Sequence, residues 1–290
     1  MIPRQIVNRF AHQTGSDLHR AQQDVVLLYA LSALHDAGLL DRLLFKGGTY
    51  LRKMVLGNQG RFSEDLDFTN NGLPGDPTAA FEHAFGHAHH SVRFNVREPY
   101  QTQQGNWACS VDYEHDWDGG SFELQVSSRE RAFLPSEPRT PVSQVYFAAL
   151  PFPPPAIPCM QLSEALAEKL RAVHQRAAER DLYDVVQYSR KGFDAQLVRL
   201  LTVAKLWNER EAFDAAKVVG ALEAGRSDWP DLRNLLGRRD RTDWNAECRR
   251  AAARFGFLRE LSDVERRLVE DHRRHALGAE LDVALGHWRK

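Results

Sequence analysis

The 290 residues are enough for one large domain or two modest ones, and 43% hydrophobic with 27% charged residues exclude a disordered or fibrous chain. A formal net charge of −1 gives no global pull toward nucleic acid, so any polyanion would have to be held by a local basic patch. No apolar run approaches the roughly 18 residues of a membrane span, the start Met1-Ile2-Pro3-Arg4-Gln5 lacks a signal-peptide core, and Cys109, Cys159 and Cys248 are odd in number and far apart. A cytoplasmic protein with reduced thiols and no membrane partner is therefore expected.

In chain order, Leu18, Ala21, Val25 and Leu28 recur near helical spacing and predict a helix over 16–37, capped by Ser16 and ended by Gly38. Leu43-Leu44-Phe45 reads as a short buried strand, and a short helix over 50–56 follows Gly47-Gly48-Thr49 directly. Asp65-Leu66-Asp67-Phe68-Thr69 alternates as a strand does, Asn70-Asn71-Gly72 is a turn, and 78–90 reads as a helix capped by Thr78. Strands are expected over 92–96, 107–113 and 122–126, the last two joined by a turn over 116–120. Pro151, Pro153, Pro154, Pro155 and Pro158 then suggest a stiff, extended linker. Beyond it, 162–176, 181–189, 194–209 and later segments carry helical spacing. The expected organisation is an α/β domain over 1–150 with about five strands, then a mainly helical domain over 151–290.

Three groups of residues carry chemistry. Asp65 and Asp67 are two apart on a strand, so both carboxylates face the same way. Such a pair suits a Mg²⁺ ion that completes its octahedron with water and substrate phosphates; a solvated edge-strand face is the plainer alternative. Strand, Gly47-Gly48-Thr49, helix is a phosphate-binding arrangement, since glycine lets the backbone approach and a helix start offers free N–H groups. It lacks the Lys-Ser/Thr of a Walker loop, and an ordinary tight turn would look the same. Beyond the prolines, Ala165, Lys169, Ala172 and Arg176 share one helix stripe, and Asp181 and Asp184 share a face of the next helix. Lys169 suits a triphosphate as a compact point charge, against simple salt bridging such as Arg180 with Asp184.

Taken together, Phe45-Lys46-Gly47-Gly48-Thr49-Tyr50-Leu51-Arg52, Arg61-Phe62-Ser63-Glu64-Asp65-Leu66-Asp67-Phe68, Ala167-Glu168-Lys169-Leu170-Arg171-Ala172 and Arg180-Asp181-Leu182-Tyr183-Asp184-Val185 resemble the AbiEii nucleotidyltransferase toxins of type IV toxin–antitoxin systems and the related MenT toxins. The resemblance runs from Met1 to at least Tyr188. It implies a DNA polymerase β-like nucleotidyltransferase domain followed by a helical one, with NTP as substrate and Mg²⁺ as cofactor. It further implies that Gly47, Gly48 and Thr49 hold phosphates, Asp65 and Asp67 the metal, Lys169 the triphosphate, and that Asp181 organises the site or acts as base. Ser63, two residues before the first acid, joins the nucleotide-binding set, and phosphate placed there would repel NTP. Some relatives add nucleotides to the 3′ acceptor end of tRNA and block translation; a cognate antitoxin of AbiEi type is the implied partner.

One position departs from the pattern. A third acid is expected where Gln125 stands, and glutamine supplies neither an anionic ligand nor a base. Glu123, on the same strand face, is one candidate to replace it, and Asp112 and Glu114 are others. His83 and His87 have metal-ligand spacing on the expected helix, but no carboxylate or cysteine completes a site and a solvated face is the favoured reading. The arginine pairs at 238–239, 249–250, 266–267 and 273–274, with Arg254, suggest either an RNA-tracking patch or a solvated surface. Transfer to a protein or small molecule, or a non-catalytic NTP-binding module, are the alternative functions.

Overall fold

The computed structural model describes residues 2–103, 105–129 and 131–289. The chain divides into two compact units. The first comprises Met1–Arg131, Ser136–Cys159 and Leu235–Asp240; the second comprises Ala132–Pro135, Met160–Asn234 and Arg241–Lys290.

The first unit opens with α1 (Arg4–Thr14), an element with no counterpart in the expectations above. Val7, Phe10 and Ala11 bury one face of it, and Gly15, at φ 67°, ends it. Helix α2 (Leu18–Asp36) is buried almost all round from Ala21 to Leu34, so its pattern is a long apolar run rather than a stripe. Its cap is Asp17, not Ser16: the Asp17 carboxylate accepts the Arg20 N–H at 2.8 Å, while the Ser16 hydroxyl stands 3.0 Å from that of Thr14. Gly38, at φ 69°, lies just past the helix end in the left-handed region.

Next come β1 (Leu43–Lys46), α3 (Gly47–Tyr50), β2 (Asp65–Asn70), α4 (Thr78–Phe85), β3 (Arg93–Gln101), β4 (Trp107–His115), β5 (Asp118–Ser127), β6 (Glu137–Arg139) and β7 (Ile157–Cys159). Helix α3 runs straight into a π-helical stretch over Leu51–Leu56. The seven strands form one sheet in the order β3-β4-β5-β2-β1-β7-β6. Pairs β2–β5 and β1–β7 are parallel and the rest antiparallel. The two strands missing from the sequence expectation, β6 and β7, have three residues each, too few for alternation to register. Strand β7 contains Pro158, so the end of the proline-rich stretch is a paired strand of the sheet and not a linker.

One sheet face packs on α2 and α4. Trp107 stacks on Phe81 with centroids 4.6 Å apart, and the Gln23 amide donates to the Ser121 carbonyl at 3.1 Å. Helix α4 stops at Phe85, five residues short of expectation. Gly86 follows, His89 pairs with Val92, and His90 and Ser91 turn the chain at φ 49° and 73°. His83 and His87 therefore do not share a helix face, and the histidine metal site is not formed. Thr78 is inside the helix rather than its cap; its N–H and hydroxyl donate to Asp76. All three cysteines are free and buried, and burial pushes each thiol up to about 12.

The second unit holds α5 (Leu162–Gln175), α6 (Glu179–Ser189), α7 (Ala195–Asn208), α8 (Ala215–Ala224), α9 (Pro230–Leu235), α10 (Trp244–Arg254), α11 (Asp263–Asp271) and α12 (Gly278–Leu285). Side chains of Asp194, Asp214, Asp243 and Ser262 cap four of them, as short polar residues at helix starts should. The Ala132–Pro135 strap is tied in by Glu164, whose carboxylate accepts the N–H groups of Phe133 and Leu134, both at 2.9 Å. Lys205 neutralises that buried acid at 2.9 Å. No helix among the described residues is long and apolar enough to cross a membrane.

Candidate active site

The sheet face opposite α2 and α4 carries the acids singled out in the sequence. Asp65 and Asp67 alternate with buried Leu66 and Phe68, so burial of the apolar pair turns both carboxylates to the other side, where each is partly exposed. The sheet register then fixes their neighbours. In the parallel β2–β5 ladder, Asp65 is level with Glu123 and Asp67 with Gln125. On the other side, Lys46 of β1 is level with Asp67. Ser110 of β4 is level with Glu123, whereas Asp112 and Glu114 are one and two rows farther along. Those two acids are bridged to Arg97 and Arg93 of β3, at 3.0 and 3.2 Å. Register thus separates them from Asp65 and Asp67.

The glycine turn meets these acids directly. Gly47 has φ 81°, and a Cβ there would stand 2.1 Å from Asp67 Oδ2 and 2.8 Å from Asp67 Cβ. Only glycine allows this approach. A Cβ on Gly48 would stand 2.6 Å from Arg61 Nη2 and 2.8 Å from Ser63 Oγ. Gly48 therefore brings a buried guanidinium and a buried hydroxyl to the helix start, where the first N–H groups have no partner within the helix. Thr49 spends its hydroxyl inside the fold. It is 1% exposed, and the hydroxyl donates to the Asp65 carbonyl, which clamps the turn onto β2. What Thr49 can offer a phosphate is its backbone, not its side chain.

Behind the turn lies a buried ionic cluster. Arg52 donates to the Asp24 carboxylate at 2.5 Å, Lys53 lies 3.3 Å from it, and the Tyr146 hydroxyl is 3.3 Å away. Burial alone would raise Asp24, but Arg52 and Lys53 outweigh it and hold the carboxyl below its ordinary value. Arg52 also donates to the Gly60 carbonyl and lies 3.9 Å over the Phe62 ring. One side chain therefore spans α2 and the loop that leads to Ser63 and Asp65. The sequence signal was a lone acid, Asp24, ahead of an apolar run, with two adjacent cations, Arg52-Lys53, inside a short helix.

In the helical unit, Lys169 is caged. Its ammonium lies 3.3 Å from Asp181 and 2.8 Å from Asp184, and both carboxylates are fully buried. Arg176 holds Asp181 as well, with Nε at 2.8 Å. Both oxygens of Asp181 thus meet cations. The stripe expected on α5 and the face expected on α6 meet here. Asp184 pairs with Lys169, a closer partner to it than Asp181 is.

The donor set suits Mg²⁺: two partly exposed carboxylates on one strand face, with a glycine where a side chain would fill the space beside Asp67. Glu123 is one strand from Asp65, but among the described residues no three His, Cys, Asp or Glu side chains gather to hold a metal. A three-acid cluster is not preformed.

The family model for the AbiEii nucleotidyl transferase toxin of type IV toxin–antitoxin systems matches residues 29–270. The chain belongs to the AbiEii family. MenT4, a nucleotidyltransferase toxin from Mycobacterium tuberculosis H37Rv, is 29% identical over the whole of both chains, with a TM-score of 0.82. A candidate nucleotidyltransferase from H. pylori shares the fold at a TM-score of 0.50 and 17% identity, over 84% of this chain and 98% of that one. No curated protein matches the sequence. The AbiEii assignment accounts for the α/β sheet followed by helices, and makes the protein a nucleotidyltransferase of a toxin family, with NTP as substrate.

Proposed function

We propose that this AbiEii protein transfers nucleotides from an NTP to RNA, at the 3′ acceptor end of tRNA, and so blocks translation. The observation that carries the reading is the seating of the Gly47-Gly48 turn against Asp67, with Asp65 on the same face. Phosphates at the turn would then lie beside the two carboxylates.

The residues divide the work as follows. Backbone N–H groups at Gly47, Gly48 and Thr49, with Arg61 and Ser63 beside them, bind and orient the triphosphate. Asp65 and Asp67 hold Mg²⁺, and Glu123 is the acid that register offers as a further ligand. Bound Mg²⁺ supplies charge neutralisation on the phosphates and lowers the pKa of the attacking hydroxyl. Lys169 carries the positive charge that family resemblance assigns to the triphosphate, and Asp181 and Asp184 position it. An antitoxin of AbiEi type is its partner, and the cytoplasm its compartment.

One observation favours a second reading, a non-catalytic NTP-binding module: Gln125 is level with Asp67 where an acid is expected. Purified protein incubated with labelled NTPs and either total RNA or lysate protein separates these readings. Label should enter RNA of tRNA size, map to the 3′ end, and vanish in Asp65→Ala. Label in protein instead, or none anywhere, would overturn the RNA reading.

A further inference from the structure

We propose that Tyr100, on the outermost strand of the sheet, is a stacking platform for a base of the acceptor RNA a few nucleotides before its reacting end. The inference rests on the reading that RNA is the acceptor. It starts from a register fault. From Arg93 to Arg97, β3 pairs regularly with Glu114 to Ser110. The next pair is Tyr100 with Ala108, so Glu98 and Pro99 both oppose Cys109. This is a one-residue bulge, and Glu98 takes φ 50°, a conformation that side chains other than glycine avoid.

The bulge decides where Tyr100 points. Without it, Tyr100 would be level with Trp107, whose ring faces α4 in the core. With it, Tyr100 is level with Ala108, which is level with Gln125, which is level with Asp67. Residues level with one another point to the same face. The bulge therefore turns an aromatic side chain from the core face to the face of the acids. There the ring is 58% exposed, alone in being aromatic among the exposed large hydrophobic side chains of the described residues. A bulge with Pro99 also protects this edge strand from further pairing; what singles out Tyr100 is that the bulge leaves its ring in water in the row of a candidate metal acid.

The order of strands says which ligand. The glycine turn lies at the end of β1, on one side of β2; β5, β4 and β3 lie on the other. In-line transfer puts the leaving pyrophosphate and the attacking hydroxyl on opposite sides of the transferred phosphorus. With the triphosphate toward Gly47 and Gly48, the acceptor arrives over β5, β4 and β3. Tyr100 is three strand spacings from Asp67, about 14 Å. That is about four stacked nucleotides at 3.4 Å each, beyond the reach of the incoming nucleotide's own base. Between Asp67 and Tyr100 the row holds Gln125 and Ala108, neither of which carries a charge that would repel a phosphate. Stacking on an aromatic ring accepts any base.

The test uses the full chain and a labelled RNA hairpin with a single-stranded 3′ end. Binding is measured by fluorescence anisotropy without NTP, and transfer by KM for RNA and for NTP. Tyr100→Ala should weaken RNA binding and raise the RNA KM by roughly five- to a hundredfold, with the NTP KM and the melting temperature unchanged. Tyr100→Phe and Tyr100→Trp should restore binding, since the ring and not the hydroxyl is used. Wild-type transfer to RNA with the same RNA KM in Tyr100→Ala would overturn the platform and leave the acceptor reading intact. Weaker RNA binding in Tyr100→Ala, restored by Phe, without transfer to RNA by the wild type would keep the platform and overturn the acceptor reading. A wild type that neither binds nor labels the hairpin overturns both.

Discussion

The contact between Gly47 and Asp67 makes a sharp prediction, because two adjacent glycines should respond differently to the same added methyl group. At Gly47, alanine must adopt φ 81°, which costs about 1–2 kcal/mol in the left-handed region. Its Cβ would also stand 2.8 Å from Asp67 Cβ, an atom fixed to the strand, so β1 and β2 must move apart or the turn must open. Overpacking of this kind costs about 1–3 kcal/mol. Together these terms predict about 3 kcal/mol for Gly47→Ala, a fall in melting temperature of roughly 6–12 °C in a chain of this size. At Gly48 there is no φ penalty, and the near atoms, Arg61 Nη2 and Ser63 Oγ, are ends of side chains that can rotate aside. Gly48→Ala should therefore cost under about 1 kcal/mol. Both variants displace groups at the helix start, so both should lower nucleotide transfer by about a hundredfold. Thermal unfolding followed by circular dichroism, with transfer of labelled NTP in parallel, reads both effects. Equal melting temperatures for the two variants, or wild-type transfer by Gly47→Ala, would refute the packing argument.

Three further outcomes follow from the buried ion pairs. Arg52→Met leaves the Asp24 carboxylate with Lys53 but without its closest cation, and should lower stability in urea by about 3–5 kcal/mol; a loss under 1 kcal/mol would show that Asp24 needs only Lys53. The folded-state Asp24 is held below its ordinary value of 3.8, so its contribution is complete above that pH and is lost only as pH falls through the lowered value. Asp24→Asn should accordingly flatten the acid limb of the stability profile and leave its neutral limb parallel to wild type. In the helical unit, Asp184→Asn removes the closer of the two acids on Lys169 and should lower transfer about ten- to a hundredfold. Unchanged transfer would remove Asp184 from the positioning role.

How much of this was legible in the sequence depends on the physical origin of each feature. The spacing of Asp65 and Asp67 survives because a strand of alternating burial leaves few options for where its polar residues point. The Gly47-Gly48 turn survives because a strand ending in two glycines before a helix is a local statement. Long-range facts were not legible. Nothing near Thr49 in sequence announces that its hydroxyl is spent on the Asp65 carbonyl, 16 residues away. The Arg52 link to Asp24 spans 28 residues and joins two helices whose own patterns are ordinary. Strand β7 was hidden by Pro158 and the prolines that precede it, because proline content argues for an extended chain and is silent on whether that chain pairs. The bulge at Glu98 and Pro99 was invisible for a further reason: alternation over 92–96 predicts a strand but cannot show where its register slips.

The same register makes sense of Gln125. Along the row of Asp67, the side chains are Lys46, Asp67 and Gln125, one cation, one anion and one amide. Along the row of Asp65, the acids are Asp65 and Glu123. Two carboxylates one strand apart repel by about 0.9 kcal/mol in water and by several times that when partly buried. A third acid at position 125 would add that repulsion beside Asp67, where the Gly47 turn already presses on the carboxylate. Glutamine avoids it beside Asp67, while the same repulsion stands between Asp65 and Glu123, where a bound Mg²⁺ would relieve it. That row begins two residues after Ser63, whose hydroxyl crowds Gly48 at the helix start. If Glu123 takes the role of the missing acid, it does so one row from the expected place. Glu123→Gln should then weaken the Mg²⁺ dependence of transfer more than Gln125→Ala does.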